Sequence, residues 1–378
     1  MRGYVCPLSP ASLSLVAHKK NASIKKMPKK GLHVAYMGSD AFSVRVLDAL
    51  RARNAAATVP AVASWTTVVP PAKPRGRGMA VSDGPLADYA RLHALPSVVA
   101  PPRSLRGWKP AICDSSHHQQ TVDTAVVVSF PYFVPRALLA TFPRAAINLH
   151  PSLLPKYRGA APIQHALWNA DRVTGVSVIE LDPTRFDAGR ILAQETLTIP
   201  EPDTCTYHEL APKLADLGSE MLFNVLANLE ECKRLAASQD ENAVTLAPKI
   251  SKQDGCIDCA TMSATQVWNR FRAFGHQQEP LKTSFRGTSV QLTALAPPAI
   301  VARNATEPIA PGMVTHMVSK SAQTPTGALY VQCFDGSEAV VLQVKPAGKR
   351  AMDVAAWING VGGSAAIKRG QVRFDNAT

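Results

Sequence analysis

Ile147-Asn148-Leu149-His150-Pro151-Ser152-Leu153-Leu154-Pro155-Lys156-Tyr157-Arg158-Gly159-Ala160-Ala161-Pro162-Ile163-Gln164, with Phe186-Asp187-Ala188-Gly189 further along, is the stretch on which the reading of this chain turns. Ala146 to Leu149 has the apolar character of a short buried strand, and Pro151, Pro155 and Gly159 then break the chain into a loop. A helix is predicted from near Pro162, with Ile163, Ala166 and Leu167 on one face. Asn148 and His150 lie two apart at the strand end, so both side chains face the same side. The amide supplies a donor and the imidazole a titratable nitrogen, a pair able to hold a carbonyl oxygen as it becomes an oxyanion under attack by an amine. Asp187 falls in the loop after a further strand, Gly175 to Leu181, where it can orient His150 and share the proton released by the attacking nitrogen. Gly189 permits a tight turn there. Read singly, a strand-end histidine is commonly a satisfied structural residue and an aspartate before a glycine an ordinary turn, so the residues alone leave both readings open.

Working outward, Thr124 to Ser129 reads as another buried strand running into the irregular Phe130-Pro131-Tyr132-Phe133-Val134-Pro135. Leu32 to Met37 alternates toward a first strand, Gly38-Ser39-Asp40 supplies a turn and a helix cap, and Phe42, Val46, Leu47 and Leu50 share one helical face. This is the βα opening of a Rossmann-like open α/β sheet, in which ligands bind at the carboxyl ends of strands. Its turn lacks the G-x-G-x-x-G spacing, which excludes the usual dinucleotide-binding arrangement. Residues 60–80, with Pro60, Pro70, Pro71 and Pro74 before Arg75-Gly76-Arg77-Gly78, read as an exposed basic loop. Residues 204–234 read as a long helix that Pro212 kinks or delays, and residues 235–250 as a linker. Beyond them the pattern turns β-rich, with a hairpin turn at Asp335-Gly336, as in a small barrel or sandwich. The expected organisation is therefore an N-terminal segment 1–30, a catalytic domain 31–234, a linker 235–250 and a β-domain 251–378.

The 378 residues suffice for two domains, and 46% hydrophobic residues can fill their cores. The formal charge of +13 is concentrated at the two ends. Residues 1–30 carry seven Lys or Arg and no acid, and residues 251–378 carry 13 Lys or Arg against 8 Asp or Glu. The basic, hydroxyl-bearing, acid-free start reads as a mitochondrial transit peptide, with an unprocessed disordered basic tail as the alternative; Pro7 and Pro10 weaken any long amphipathic helix there. The apolar stretch around Leu13 to Val16 is too short for a membrane span. Seven scattered cysteines argue against a disulfide framework. Cys256 and Cys259 have metal-like spacing but no second pair, so no metal is expected.

The string INLHPSLLPKYRGAAPIQ, with the later FDAG, resembles the folate-dependent formyltransferases, whose pattern runs N-x-H, S-L-L-P, R-G and then a D-x-G loop. The resemblance implies that Asn148, His150 and Asp187 are the catalytic trio. It also implies that Phe130, Pro131, Tyr132, Phe133 and Val134, with Ser152, Leu153, Leu154 and Pro155, hold 10-formyltetrahydrofolate as formyl donor. R-G-A-A-P-I-Q is most similar to the branch of the family whose acceptor is methionyl-tRNA. In the second half, Val344 to Met352 and Phe271-Arg272-Ala273-Phe274 are similar to segments of that branch, whose chains end in an OB-like β-barrel that helps bind tRNA. On that basis Arg75, Arg77, Arg272, Lys349 and Arg350 are expected to contact tRNA, and the basic balance of residues 251–378 suits phosphate. A monomer without membrane association is expected. A donor hydrolase, a sugar-amine formyltransferase and a noncatalytic RNA-binding relative are the rival readings. The chain departs from the pattern at Cys259, at Gly275-His276-Gln277-Gln278 and at Gly38-Ser39-Asp40-Ala41.

Overall fold

A computed structural model describes residues 31–75, 80–110, 122–275, 280–298, 310–318, 327–368 and 372–375. In chain order its first elements are β1 (Leu32–Gly38), α1 (Ala41–Ala56), β2 (Val62–Val69), β3 (Lys73–Arg75), β4 (Ala80–Ser82), α2 (Pro85–Leu92) and β5 (Ser97–Val99). They are followed by β6 (Thr124–Val128), α3 (Arg136–Leu139), β7 (Ala145–His150), α4 (Pro162–Trp168), β8 (Val173–Glu180), β9 (Ile191–Thr198), α5 (Tyr207–Ala227) and α6 (Leu229–Leu235). Seven strands form one sheet in the order β5-β2-β1-β6-β7-β8-β9. β5 through β7 are parallel, and β8 and β9 continue antiparallel.

The order follows from burial. Every residue of β1 is buried, as a central parallel strand requires. The Asp40 carboxylate accepts the Ser43 N–H at 2.9 Å and caps α1, which turns Phe42, Val46, Leu47 and Leu50 inward. At the other end of that helix the Asn54 amide exchanges two hydrogen bonds with the Val62 backbone, at 2.9 and 3.0 Å, and so fixes where β2 begins. Residues 60–80 are thus not a loop throughout. The prolines bracket an eight-residue strand instead of interrupting it, because Pro60 precedes β2 and Pro70 and Pro71 follow it. Beyond them β3 and β4 pair in antiparallel register, and Arg77 lies outside the described residues. The amino-terminal segment 1–30 also lies outside them.

After β1 the chain builds outward through β2 and β5, then returns to lay β6 against the other side of β1. This reversal opens a crevice at the carboxyl ends of β1 and β6. Ser39 Oγ donates to the Ser129 carbonyl at 2.6 Å across it. Because β7 is parallel to β6, His150 emerges at the same edge of the sheet.

A second sheet consists of β10 (Leu281–Phe285), β11 (Thr288–Ala296), β12 (Val314–Val318), β13 (Ala328–Gln332) and β14 (Glu338–Pro346), in the order β10-β11-β14-β13-β12. β15 (Met352–Asp353) pairs with β14, and all pairings are antiparallel. The sheet curls into a half-barrel. Its two edges are bridged by the chain end, since Asp375 exchanges backbone hydrogen bonds with Ser284 of β10 while Phe374 and Val372 pair with Gly312 and Val314 beside β12. Edge strands left unpaired would invite association, and this closure covers part of the ladder at each edge. Inside lie Val290, Leu292, Leu295, Val331, Val341 and Val344.

The described chain forms two compact units. The first comprises residues up to Pro162, Val173–Thr198 and Ala211–Ala247, and the second comprises Ile163–Arg172, Ile199–Leu210 and the residues from Pro248 onward. The half-barrel unit thus takes two segments from the middle of the chain. Arg272 explains their membership. It is fully buried, and its guanidinium donates to Asn269 Oδ1 at 2.8 Å, the Cys205 carbonyl at 3.0 Å and the Leu167 carbonyl at 2.9 Å. Trp268 adds its indole N–H to the Asp203 carbonyl at 2.8 Å. The expectation that Arg272 contacts tRNA is therefore corrected, because the side chain is fully buried and three of its N–H groups donate inside the protein. We expect Arg272→Met to lower stability by about 3 kcal/mol or more, since two buried carbonyls lose their partners. A denaturant midpoint equal to that of the parent would show that the guanidinium holds nothing together.

Candidate active site

At the end of β7, Asn148 and His150 are 7% and 4% exposed, and both side chains project from the same face toward Asp187. Asn148 Nδ2 donates to Asp187 Oδ1 at 3.3 Å, and His150 Nδ1 lies 3.6 Å from the same oxygen. The other carboxylate oxygen accepts the Gly159 N–H at 2.9 Å. One aspartate therefore meets groups from β7 and from the loop after it. The three residues singled out in the sequence are brought together.

The ring orientation decides which nitrogen is free for chemistry. His150 Nε2 is 2.9 Å from the Tyr157 carbonyl, an acceptor only, so Nε2 carries a hydrogen and donates it. In the neutral ring Nδ1 is then the lone-pair nitrogen, and it faces Asp187. The 3.6 Å separation is too long for a direct hydrogen bond. The pair is arranged to receive a proton at Nδ1, after which the imidazolium stands beside a carboxylate. Asn148 Nδ2 has a second hydrogen available once the first is given to Asp187.

Positioning Asp187 takes several elements. β8 runs antiparallel to β7, so its carboxyl end, Glu180, lies opposite Ile147, and the loop after it must turn back to reach Asn148 and His150. Gly189 allows this, because a Cβ there would sit 1.7 Å from the Glu180 carbonyl oxygen. Asp187 itself has φ of +54°, the left-handed region that few side chains adopt. Gln239 holds the turn from outside, its amide Nε2 donating to the carbonyls of Asp187 and Gly189, each at 2.8 Å. Gln239 in turn accepts from the Arg158 guanidinium at 2.8 and 3.0 Å, and Arg158 also pairs with Glu241 at 3.1 Å. Arg158, then Arg185, hold the Glu241 carboxyl below the usual carboxylate range.

These partners lie in residues 235–250, whose polar composition reads as a linker. In the fold, Ala237 pairs with Ile191, Thr245 accepts from the Tyr157 N–H, and Ala247 exchanges hydrogen bonds with Arg158 and Ala161. The segment thus braces both the loop after β7 and the Asp187 turn. Nothing in its sequence marks Gln239 as a site residue. Gly159 was visible within the R-G pair, although its role as an N–H donor was not.

The residues read as donor-binding divide into two groups. Phe130, Pro131, Tyr132 and Phe133 follow β6 at the crevice edge and are partly or fully exposed, whereas Val134 is buried in the core beneath them. Phe130 and Tyr132 pack edge to face at 5.4 Å, and Phe133 does the same with Phe186 at 5.0 Å. Ser152 and Leu154 are buried, with Leu153 and Pro155 half-buried. The Ser152 hydroxyl is turned onto the Lys156 carbonyl at 2.6 Å, and Ser177 and Gln194 hold the Leu154 backbone, so this loop is rigidly supported from β8 and β9. Lys349 and Arg350 are exposed on the turn between β14 and β15. Arg75 closes β3. Among the described residues no group of three or more His, Cys, Asp or Glu is placed to hold a metal ion.

A sequence model of formyl transferases matches residues 32–226, and a model of the formyl transferase C-terminal domain matches residues 249–362. The chain belongs to the formyl transferase family. It is 35% identical over 351 residues to a methionyl-tRNA formyltransferase of Thermus thermophilus, covering 90% of this chain and 100% of that one. It is 33% identical over 312 residues to the mitochondrial methionyl-tRNA formyltransferase of Mus musculus, covering 80% and 72%. Among solved structures, HypX from Aquifex aeolicus in complex with tetrahydrofolic acid shares the fold with a TM-score of 0.53 at 14% identity, over 92% of this chain. This formyl transferase spans about half the length of HypX.

Replacing Gln239 by Leu leaves the Asp187 and Gly189 carbonyls without their donor. We expect a stability loss of about 1–3 kcal/mol and turnover reduced about tenfold, measured by thermal melting and by initial rates of formyl transfer. Parental turnover in a folded Gln239→Leu protein would show that the turn holds Asp187 unaided.

Proposed function

We propose that this protein transfers the formyl group of 10-formyltetrahydrofolate to the α-amino group of methionyl-tRNA. The observation that carries the proposal is the convergence of Asn148, His150 and Asp187 in a chain 35% identical to a methionyl-tRNA formyltransferase over nine-tenths of its length. The neutral amine attacks the formyl carbon, and its carbonyl oxygen takes up negative charge. Asn148 Nδ2 donates to that oxygen. His150 Nδ1 accepts the proton lost by the attacking nitrogen, and Asp187 stabilises the imidazolium. Once protonated, Nδ1 also becomes a donor toward the oxyanion. Collapse expels the N10 nitrogen of the folate, which takes a proton and leaves as tetrahydrofolate. No step in this sequence calls for a metal.

Phe130 to Val134 and Ser152 to Pro155 are proposed to form the donor site, at the strand ends where open α/β sheets bind ligands. Arg75, Arg77, Lys349 and Arg350 are proposed to contact tRNA phosphates. We further propose that the protein acts as a monomer, free of membrane, in mitochondria, with residues 1–30 as its address and domains at 31–234 and 251–378. Support for the address is that residues 1–30 hold seven Lys or Arg and no acid, together with a mitochondrial relative.

Purified protein incubated with 10-formyltetrahydrofolate and methionyl-tRNA is expected to yield esterified formylmethionine, with a tRNA KM that rises with salt much more steeply than the donor KM. Release of formate without acceptor would mark a hydrolase instead. His150→Ala and Asn148→Ala are each expected to cut turnover about a hundredfold to a thousandfold while the protein stays folded, and near-parental rates in either would sink the assignment. A reporter fused to residues 1–30 should enter mitochondria; its exclusion would refute that address.

A further inference from the structure

Against the loop proposed to hold the donor lies a cavity of about 360 Å³, whose other wall takes no part in the mechanism. Its walls include Arg103, Ser104 and Arg106 on one side and Pro131, Tyr132 and Phe133 on the other. The arginine side is an ordered turn. Leu105, 1% exposed, is inserted into the core between the two arginines, and Trp108 packs against the same core. The Ser104 hydroxyl accepts the Arg106 N–H at 3.1 Å, and Arg103 has φ of +73°. With Leu105 anchored inward, both guanidinium groups are presented outward and are exposed. Among the described residues neither makes an ion pair with a carboxylate. The flanking segments explain why, since Ser97 to Pro110 and Phe130 to Ala145 contain no Asp or Glu but hold Arg103, Arg106, Lys109, Arg136 and Arg144.

The opposite wall is aromatic and leads back to the chemistry. Tyr132 packs on Phe130, Phe133 packs on Phe186, and Phe186 is the residue before Asp187. A ligand whose reacting end sits at the trio therefore meets first a wall of aromatic rings and then a pair of guanidinium groups that have no carboxylate partner among the described residues. A reduced folate has that sequence of parts. Its N10 carries the formyl group, a p-aminobenzoyl ring follows, and the molecule ends in glutamate, which γ-linkage extends into a chain of carboxylates.

We propose that this cleft is a subsite for the γ-linked oligoglutamate tail of the folate donor, with Arg103 and Arg106 pairing its carboxylates and Tyr132 and Phe133 bounding its aromatic portion. The proposal rests on the folate-dependent reading above and names what selects among forms of that substrate. Guanidinium forks suit carboxylates in bidentate geometry. The concave form and volume fit a small-molecule subsite, whereas an RNA backbone is usually followed by an open basic groove.

The test measures binding of 5-formyltetrahydrofolate, as the monoglutamate and as the pentaglutamate, to the full chain by calorimetry. The parent is expected to bind the pentaglutamate about tenfold more tightly, one strong ionic contact's worth. In Arg103→Ala/Arg106→Ala that ratio should fall to about one or two, and in Arg103→Glu/Arg106→Glu below one. Arg136→Ala, exposed but outside the cavity lining, should keep the parental ratio. Because both cleft arginines are exposed, the variants should melt like the parent. A parental ratio near one, or a ratio that survives in the double alanine variant, overturns the proposal. A surviving ratio with a raised tRNA KM would assign the arginines to RNA instead. If the parent binds neither form, the folate reading itself fails and the subsite falls with it, an outcome distinct from binding both forms equally.

Discussion

The arrangement at the crevice depends on keeping one carboxylate in place. Asp187 sits on a turn that must double back from the end of an antiparallel strand, in the left-handed backbone region that is uncommon for residues other than glycine. Local bonds brace only its start, where Asp182 accepts from the Thr184 and Arg185 N–H groups. It is held because Gly159 and Asn148 satisfy the carboxylate from one side, while Gln239 satisfies the carbonyls of the turn from the other. These contacts come from parts of the chain up to about ninety residues apart, so the geometry of the trio is a property of the assembled unit. The same contacts fix the imidazole, since Tyr157, whose carbonyl takes the Nε2 hydrogen, lies in the loop that Thr245 and Ala247 brace.

Much of this was legible in the sequence wherever burial alone sets the outcome. The largely apolar Leu32 to Met37 and Thr124 to Val128 form central parallel strands, and Asp40 caps the helix whose inner face is Phe42, Val46, Leu47 and Leu50. Asp335-Gly336 turned the β13 to β14 hairpin, with Gly336 at φ of +84°. Elements that rely on partners were not legible. Residues 62–69 were hidden among prolines, although proline only forbids positions whose N–H the ladder needs. Gln239 is one polar residue in a polar stretch, and its value lies entirely in facing two carbonyls that the sequence cannot place.

Arg272 shows the opposite failure. A cation in a basic region suggests a phosphate contact, yet the fold directs three of its N–H groups onto buried oxygens in three segments. Charge in a sequence gives the sign of a side chain and not its address. Lys349 and Arg350, on an exposed turn with a glycine at φ of +73° before them, remain outward.

That internal use of Arg272 bears on how such a chain is inherited. The half-barrel looks, along the sequence, like a module appended after residue 250. Two of its foundations, residues 163–172 and 199–210, are nevertheless written inside the preceding half. A recombination event that exchanged only the downstream portion would deliver a barrel whose buried guanidinium faces foreign backbone. The two halves of the chain are therefore expected to descend as a linked pair, with changes near Leu167 and Cys205 constrained by a residue 105 and 67 positions away.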